Sequence, residues 1–268
     1  MSLSSPLTIM QPQPLAGRGA LVTGVTRRSG IGFAVAARLA QMGARVCIHS
    51  WLPGDSVRTE EAEPGGMDTL LDALREHGAP IAHVAGDLGL LDAPRHVVAA
   101  ATDVVGSVDI LVLNHTHHEG PQTLEDLTAA QIDRHLEVNV RGTLLLIQAW
   151  AERRDDSRPG GRVVLFTSGQ HRGPMPQELA YVASKGALHQ LTASLAAHLA
   201  PRGITVNTID PGPTDTGWPS REVYEAVLKA SPQGRWGQPD DAARVIAWLA
   251  TDDSQWITGQ VIDSRGGL

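Results

Sequence analysis

The chain has 268 residues, 42% of them hydrophobic and 19% charged, a composition that weighs against disorder and fits one globular α/β domain. Its formal net charge of -7, with no long basic run, argues against nucleic acid as a partner, and no stretch reaches the roughly 18 apolar residues of a membrane span. Cys47 is the single cysteine and lies in the apolar run RVCIHS, so no disulfide framework forms within the chain and a reducing, cytoplasmic setting is expected.

The first fifteen residues carry Ser, Pro and Gln without a basic start or a sustained apolar stretch. They predict a flexible arm over 1–15 rather than a signal peptide, ahead of one catalytic domain over 16–268. The apolar run ALVTG, 20–24, predicts a strand. Ile31, Val35, Leu39 and Met42 at helical spacing predict a helix over 30–43. A strand over 45–50, a long Pro- and acid-bearing loop over 51–64 and a helix over 67–77 follow. Further strands are predicted at 81–87, 109–114, 162–168, 204–210 and 259–263, and further helices at 94–105, 128–153, 179–199 and 240–251. Short strands alternating with helices predict a single-domain, doubly wound parallel sheet, a Rossmann fold with helices on both faces.

The segment TGVTRRSGIG, 23–32, lies between the first strand and the first helix, where a doubly wound sheet binds a dinucleotide. Gly24 and Gly30 allow a tight turn, and the helix start at Ile31 offers free N–H groups to a pyrophosphate. An acid at the end of the second strand would accept from the ribose 2'-OH of NAD; here His49, Ser50 and Trp51 stand there, and Arg27 and Arg28 lie in the turn. NADP(H) is therefore favoured over NAD(H). Asp87, in GDLG, either accepts from an adenine amino group or caps its own turn.

Tyr181 and Lys185 form Y-x-x-x-K within a predicted helix, which puts both side chains on one face. The chain has only two tyrosines and two lysines, so the spacing is not a product of composition. A phenol titrating at about 10 needs about 4 kcal/mol to become an acid/base group near neutrality. An ammonium about 4 Å away supplies about that much at an effective dielectric of about 20. A lowered Tyr181 pKa is thus expected.

With the turn, these features resemble the short-chain dehydrogenase/reductase family, of the 3-oxoacyl-carrier-protein reductase type, from about Leu15 to Gly267. Ser168 stands before Tyr181 as that family's catalytic serine does, NVRG (139–142) matches its asparagine motif, and DPGPTDT (210–216) looks like its nicotinamide loop. The resemblance implies hydride transfer between NADP(H) and a ketone, aldehyde or alcohol. Ser168 would orient the carbonyl, Tyr181 would carry the proton, Lys185 would hold the nicotinamide ribose, and Asn139 would fix a relay water. It also implies cofactor contacts from Ser29, Ser50, Leu88 and Asn114, and from Pro211, Gly212, Thr214 and Thr216.

Three departures stand out. The glycine turn is longer than the family's common one, as in the enoyl reductase branch, although that branch spaces its Tyr and Lys more widely. Leu113, Asn114, His115 and Thr116 replace Asn-Asn-Ala-Gly, and Ser264 and Arg265 replace an acidic approach to the terminal glycines. HTHH (115–118) lacks an accompanying ligand pattern, so no metal is expected and crowding near the substrate or plain surface polarity accounts for it. Residues 213–236, with Trp218, Tyr224 and Trp236, are expected to cover the substrate, with Gln170, His171 and Met175 on the opposite wall. The two long helices imply a homotetramer by the same resemblance. The alternatives are an NAD-dependent alcohol dehydrogenase and a catalytically weak regulatory protein that keeps the cofactor site.

Overall fold

Seven short apolar segments form the strands β1 (Gly19–Thr23), β2 (Arg45–Ser50), β3 (Ile81–Ala85), β4 (Ile110–Leu113), β5 (Arg162–Phe166), β6 (Thr205–Asp210) and β7 (Val261–Asp263). The computed structural model of the chain describes residues 13–52, 62–158 and 160–268. All pairings are parallel, in the order β3-β2-β1-β4-β5-β6-β7. Every residue of β1, β4, β5 and β6 is buried, as required of a sheet covered on both faces.

The helices are α1 (Ile31–Gln41), α2 (Gly66–Arg75), α3 (Ala93–Val105), α4 (Ala129–His135), α5 (Thr143–Arg153), α6 (Leu179–Leu199), α7 (Arg221–Ala230) and α8 (Pro239–Leu249). Successive strand residues point to opposite faces. Ala20, Val22, Ile48 and Val112 pack with Val35 and Leu39 of α1 and Ile246 of α8. Leu21, Cys47, Leu111 and Leu165 pack with Val98 of α3, Trp150 of α5 and Leu199 of α6. Burial pushes the Cys47 thiol up to about 12, so it is an unreactive core side chain. No helix among the described residues is long and apolar enough to cross a membrane.

Four local features differ from the sequence expectation. Residues 1–12 of the expected arm lie outside the described residues, as do 53–61 of the expected loop, but Leu15 is fully buried and its N–H donates to Met42 O at 2.9 Å. Leu15 is therefore packed into the domain. The helix expected over 128–153 is interrupted by a π-helical turn, Leu136–Gly142, a feature common at functional sites. Gly142 lies there because a Cβ would meet Leu88 O at 2.6 Å. Strand β3 ends at Ala85 rather than 87, releasing Asp87 into a turn. Finally, α7 was not foreseen within 213–236. Its Tyr224 stacks on Trp236 at 5.1 Å and 9°, and buried Trp236 donates Nε1–H to Tyr224 O at 2.9 Å. Trp218 meets Trp236 edge-on, so these aromatics pack on one another.

Candidate active site

The strand order reverses between β1 and β4, and the crevice at that point is the expected dinucleotide site. The two strand ends are tied together there. Asn114 Nδ2 donates to Thr23 O at 3.2 Å and to Gly24 O at 2.9 Å, and Thr23 Oγ1 hydrogen-bonds His115 Nδ1 at 2.7 Å. Gly24 has φ +72 and a Cβ on it would lie 2.7 Å from His115 Cα, so no other residue fits the turn. A cavity of about 920 Å³ opens at this junction, lined by Gly24, Arg27, Gly30, Ile31, Asp87, Leu88, Asn114 and Thr216 among the expected cofactor residues. Gly30 caps α1 without a side-chain bond to the first turn, which leaves backbone N–H groups for an anion. Size, cradle and donor set fit a dinucleotide.

Other expected cofactor residues are engaged elsewhere. Arg28 is held by Glu63, whose carboxylate accepts from the Arg28 backbone N at 2.7 Å and from Nε at 2.5 Å. Arg27, by contrast, lines the cavity and donates to Thr216 Oγ1 at 3.4 Å. Ser29 Oγ donates to Thr216 O at 3.4 Å, and Ser50 Oγ pairs with His83 Nε2 at 2.8 Å beneath the strand end. Asp87 accepts from Gly89 N at 2.9 Å, which is the turn-capping role, and also from Arg134 Nη2 at 2.9 and 3.0 Å. Arg141 donates to Gly89 O. Arg134 and Arg141 were missed from sequence; their seven-residue separation, two helical turns, was the available signal.

Two cavity histidines are buried and neutral. His49 donates Nε2–H to Gly86 O at 2.8 Å while Nδ1 stays without a partner, and burial lowers its pKa to about 4. His115 lies between Thr23 and Thr143, whose Oγ1 is 3.3 Å from Nε2. Burial, then the neighbouring His49 and Lys185, lower its pKa to about 3.

At the chemical end, Ser168 follows β5 and Tyr181 and Lys185 lie one turn apart on α6, as expected. Lys185 Nζ sits 5.7 Å from the Tyr181 ring centroid and donates to Phe166 O at 3.2 Å. Burial lowers the Lys185 pKa to about 8. The expected lowering of Tyr181 is overturned. Burial pushes its phenol up to about 12; a hydrogen bond with Ser168 opposes the rise, and the charges of Glu178 and Asp210 add to it. Desolvation of the phenolate is the largest of these effects.

Asn139 is fully buried in the π turn. Its Oδ1 accepts from His117 N at 2.6 Å, and Nδ2 donates to His117 O at 3.0 Å and to Ser184 Oγ at 2.9 Å. These bonds hold the 115–118 segment against α6. In the nicotinamide-type loop, Thr214 Oγ1 donates to Pro211 O and Gly212 O at 3.3 and 3.1 Å, and Gly212 packs under Arg265. Arg265 neutralises buried Asp210 at 2.8 Å. The HTHH histidines diverge: His115 towards Thr23, His117 towards Glu119 at 2.9 Å, and His118 towards Glu178. Among the described residues His171, Asp210 and Asp263 bring ligand atoms within 4.8 Å; Asp210 and Asp263 are already paired with Arg265 and Arg172.

The parallel sheet with its reversal of strand order, the glycine turn and the Ser168, Tyr181 and buried Lys185 set define an NAD(P)-dependent oxidoreductase of the doubly wound class. A family model described as Enoyl-(Acyl carrier protein) reductase matches residues 24–268. The uncharacterized oxidoreductase YjdA of Bacillus subtilis is 39% identical over 93% of this chain and 96% of its own length. Human dehydrogenase/reductase SDR family member 4 is 33% identical over 95% of this chain and 88% of its own. Among solved structures, the promiscuous reductase LugOII, described as catalysing keto-reduction at C1 during lugdunomycin biosynthesis, matches with a TM-score of 0.81. It is 36% identical, and the match covers 95% of this chain and 98% of that one. The chain belongs to the short-chain dehydrogenase/reductase family.

The two buried histidines set a pH dependence. Above about pH 6.5 they are neutral in both folded and unfolded chains and contribute no slope. As pH falls from there towards the folded values, the unfolded chain takes up protons that the folded one refuses, so stability is lost. Each histidine adds a slope of about 1.4 kcal/mol per pH unit. Urea midpoints measured from about pH 7 down to about pH 5 are expected to fall, and His115→Gln to reduce the slope by about one proton.

Proposed function

We propose that the protein is an NADP(H)-dependent carbonyl reductase acting on a ketone or aldehyde, with Tyr181 as the proton donor. The observation that carries this is the arrangement at the chemical end: Tyr181 on α6 lies one turn from buried Lys185, whose Nζ sits 5.7 Å from its ring, and Ser168 after β5 hydrogen-bonds the phenol. A protonated phenol is the acid that reduction of C=O requires. NADP(H), when bound, supplies the hydride to the carbonyl carbon. Ser168 holds the carbonyl oxygen and stabilises its developing charge, and Tyr181 protonates it. Lys185, protonated below its value of about 8, offsets negative charge as the Tyr181 proton leaves. The keto-reduction ascribed to LugOII supports the same reaction class.

The preference for NADP(H) rests on Arg27, which lines the cavity near His49 and Trp51 where the chain places no acid at the end of β2. Arg28 beside it is paired with Glu63. Self-association of the family type is part of the same reading. It is supported by the small exposed residues Ala183, Ala193 and Ala197 on α6 and by exposed Leu136.

Tyr181→Phe is expected to keep NADPH binding, read by nicotinamide fluorescence, while turnover of a carbonyl substrate falls about 10²- to 10⁴-fold. Equal loss of binding and turnover would contradict the assignment. In the same titration Arg27→Ala is expected to weaken NADPH about tenfold more than NADH, the effect of one charge-assisted bond. An unchanged ratio would assign the arginine elsewhere.

A further inference from the structure

The wall beside Tyr181 is built from two segments far apart in sequence. Residues 115–122 follow β4, and residues 172–178 lead into α6. They are joined by a short parallel bridge, with Gln122 N donating to Gln177 O at 2.6 Å and Gln122 paired with Glu178. Gln122 is buried and its Nε2 donates to Glu119 O at 3.2 Å, so the bridge is fixed on both sides.

This bridge sets two polar side chains over the catalytic phenol. The His118 ring meets the Tyr181 ring edge-on, with centroids 5.1 Å apart and planes at 79°. His118 also lines the large cavity. The Glu178 charge is felt by Tyr181. His118 Nε2 and Glu178 Oε2 face each other at 3.6 Å, beyond the usual N–H···O bond length of about 2.7–3.2 Å. Neither side chain makes a shorter hydrogen bond among the described residues. Their side chains are 40% and 32% exposed, so neither is sealed in the core.

A donor and an acceptor separated by that gap match a single chemical group. A hydroxyl both donates and accepts, and one oxygen placed to the side of the pair, off the line that joins them, reaches both atoms at about 2.8 Å. We propose that His118 and Glu178 form a hydroxyl-recognition subsite, and that the substrate is a carbonyl compound bearing a hydroxyl on the carbon next to the carbonyl. That placement puts the carbonyl oxygen at Ser168 and Tyr181 and the hydroxyl on the adjacent wall. An alkyl group at the same position would leave the pair unmatched, and a site built to bond a hydroxyl discriminates against the analogue that lacks it. The assignment rests on the carbonyl reductase reading and specifies its substrate class.

The test compares hydroxyacetone with butan-2-one, which has a methyl in place of the hydroxyl, using NADPH and the full chain. Wild-type protein is expected to favour hydroxyacetone in kcat/KM. His118→Leu is expected to lower the hydroxyacetone to butan-2-one ratio about 10- to 100-fold, the effect of losing a bond shared with a charged group. Glu178→Gln, which keeps shape and removes the charge, is expected to lower it in the same direction by less. His118→Gln, which restores a donor, is expected to recover part of the ratio. A wild-type preference for butan-2-one, or a ratio unmoved in His118→Leu and Glu178→Gln, would overturn the subsite and leave the reductase reading intact. Wild-type protein that binds NADPH and reduces neither compound would overturn both.

Discussion

The knot that joins the ends of β1 and β4 is the constraint on which the site depends. At that point the chain leaves adjacent parallel strands in opposite directions, so a crevice opens between the connections. Gly24 has no Cβ to collide with His115, and the Asn114 amide and Thr23 hydroxyl close the gap. From this knot a run of bonds reaches the chemistry. Thr23 holds His115, the next residues carry His117 to Asn139, Asn139 holds Ser184, and Ser184 Oγ donates to Tyr181 O at 2.8 Å. The crevice and Tyr181 are thereby placed by one polar network, in which an unmade bond is costly.

Burial governs the charge state of nearly every group near that network. It keeps His49 and His115 neutral, moves Lys185 down and Tyr181 up, each in the direction that disfavours the charged form. At neutral pH the site thus holds a protonated phenol beside an ammonium, with uncharged imidazoles behind them.

Much of this was legible in the chain itself. Parallel strands buried on both faces are continuous apolar runs, so ALVTG, RVCIHS and RVVLFTS located β1, β2 and β5 within two residues. Tyr181 and Lys185 were visible because their relation is local, four residues on one helix. Relations across long separations were not. Arg28 with Glu63, Asp87 with Arg134 and His118 with Glu178 are made by the fold, and no local pattern records which carboxylate an arginine or a histidine will meet. The π turn was hidden for a similar reason, since its apolar spacing continues that of α4 while Asn139 answers to His117 and Ser184. Residue Leu15 was obscured by its Pro- and Gln-rich neighbours, although burial makes it part of the core.

The claim that Lys185 supplies the charge balancing Tyr181 is tested most directly by the pH dependence of kcat/KM for carbonyl reduction. The phenol keeps its proton up to about 12, whereas Lys185 loses its own at about 8. Activity should therefore decline above about pH 8 with a slope of one proton, and the residual activity of Lys185→Arg should hold to well above that, because a guanidinium stays charged. A profile flat to about pH 10, or a decline unmoved in Lys185→Arg, would contradict the account.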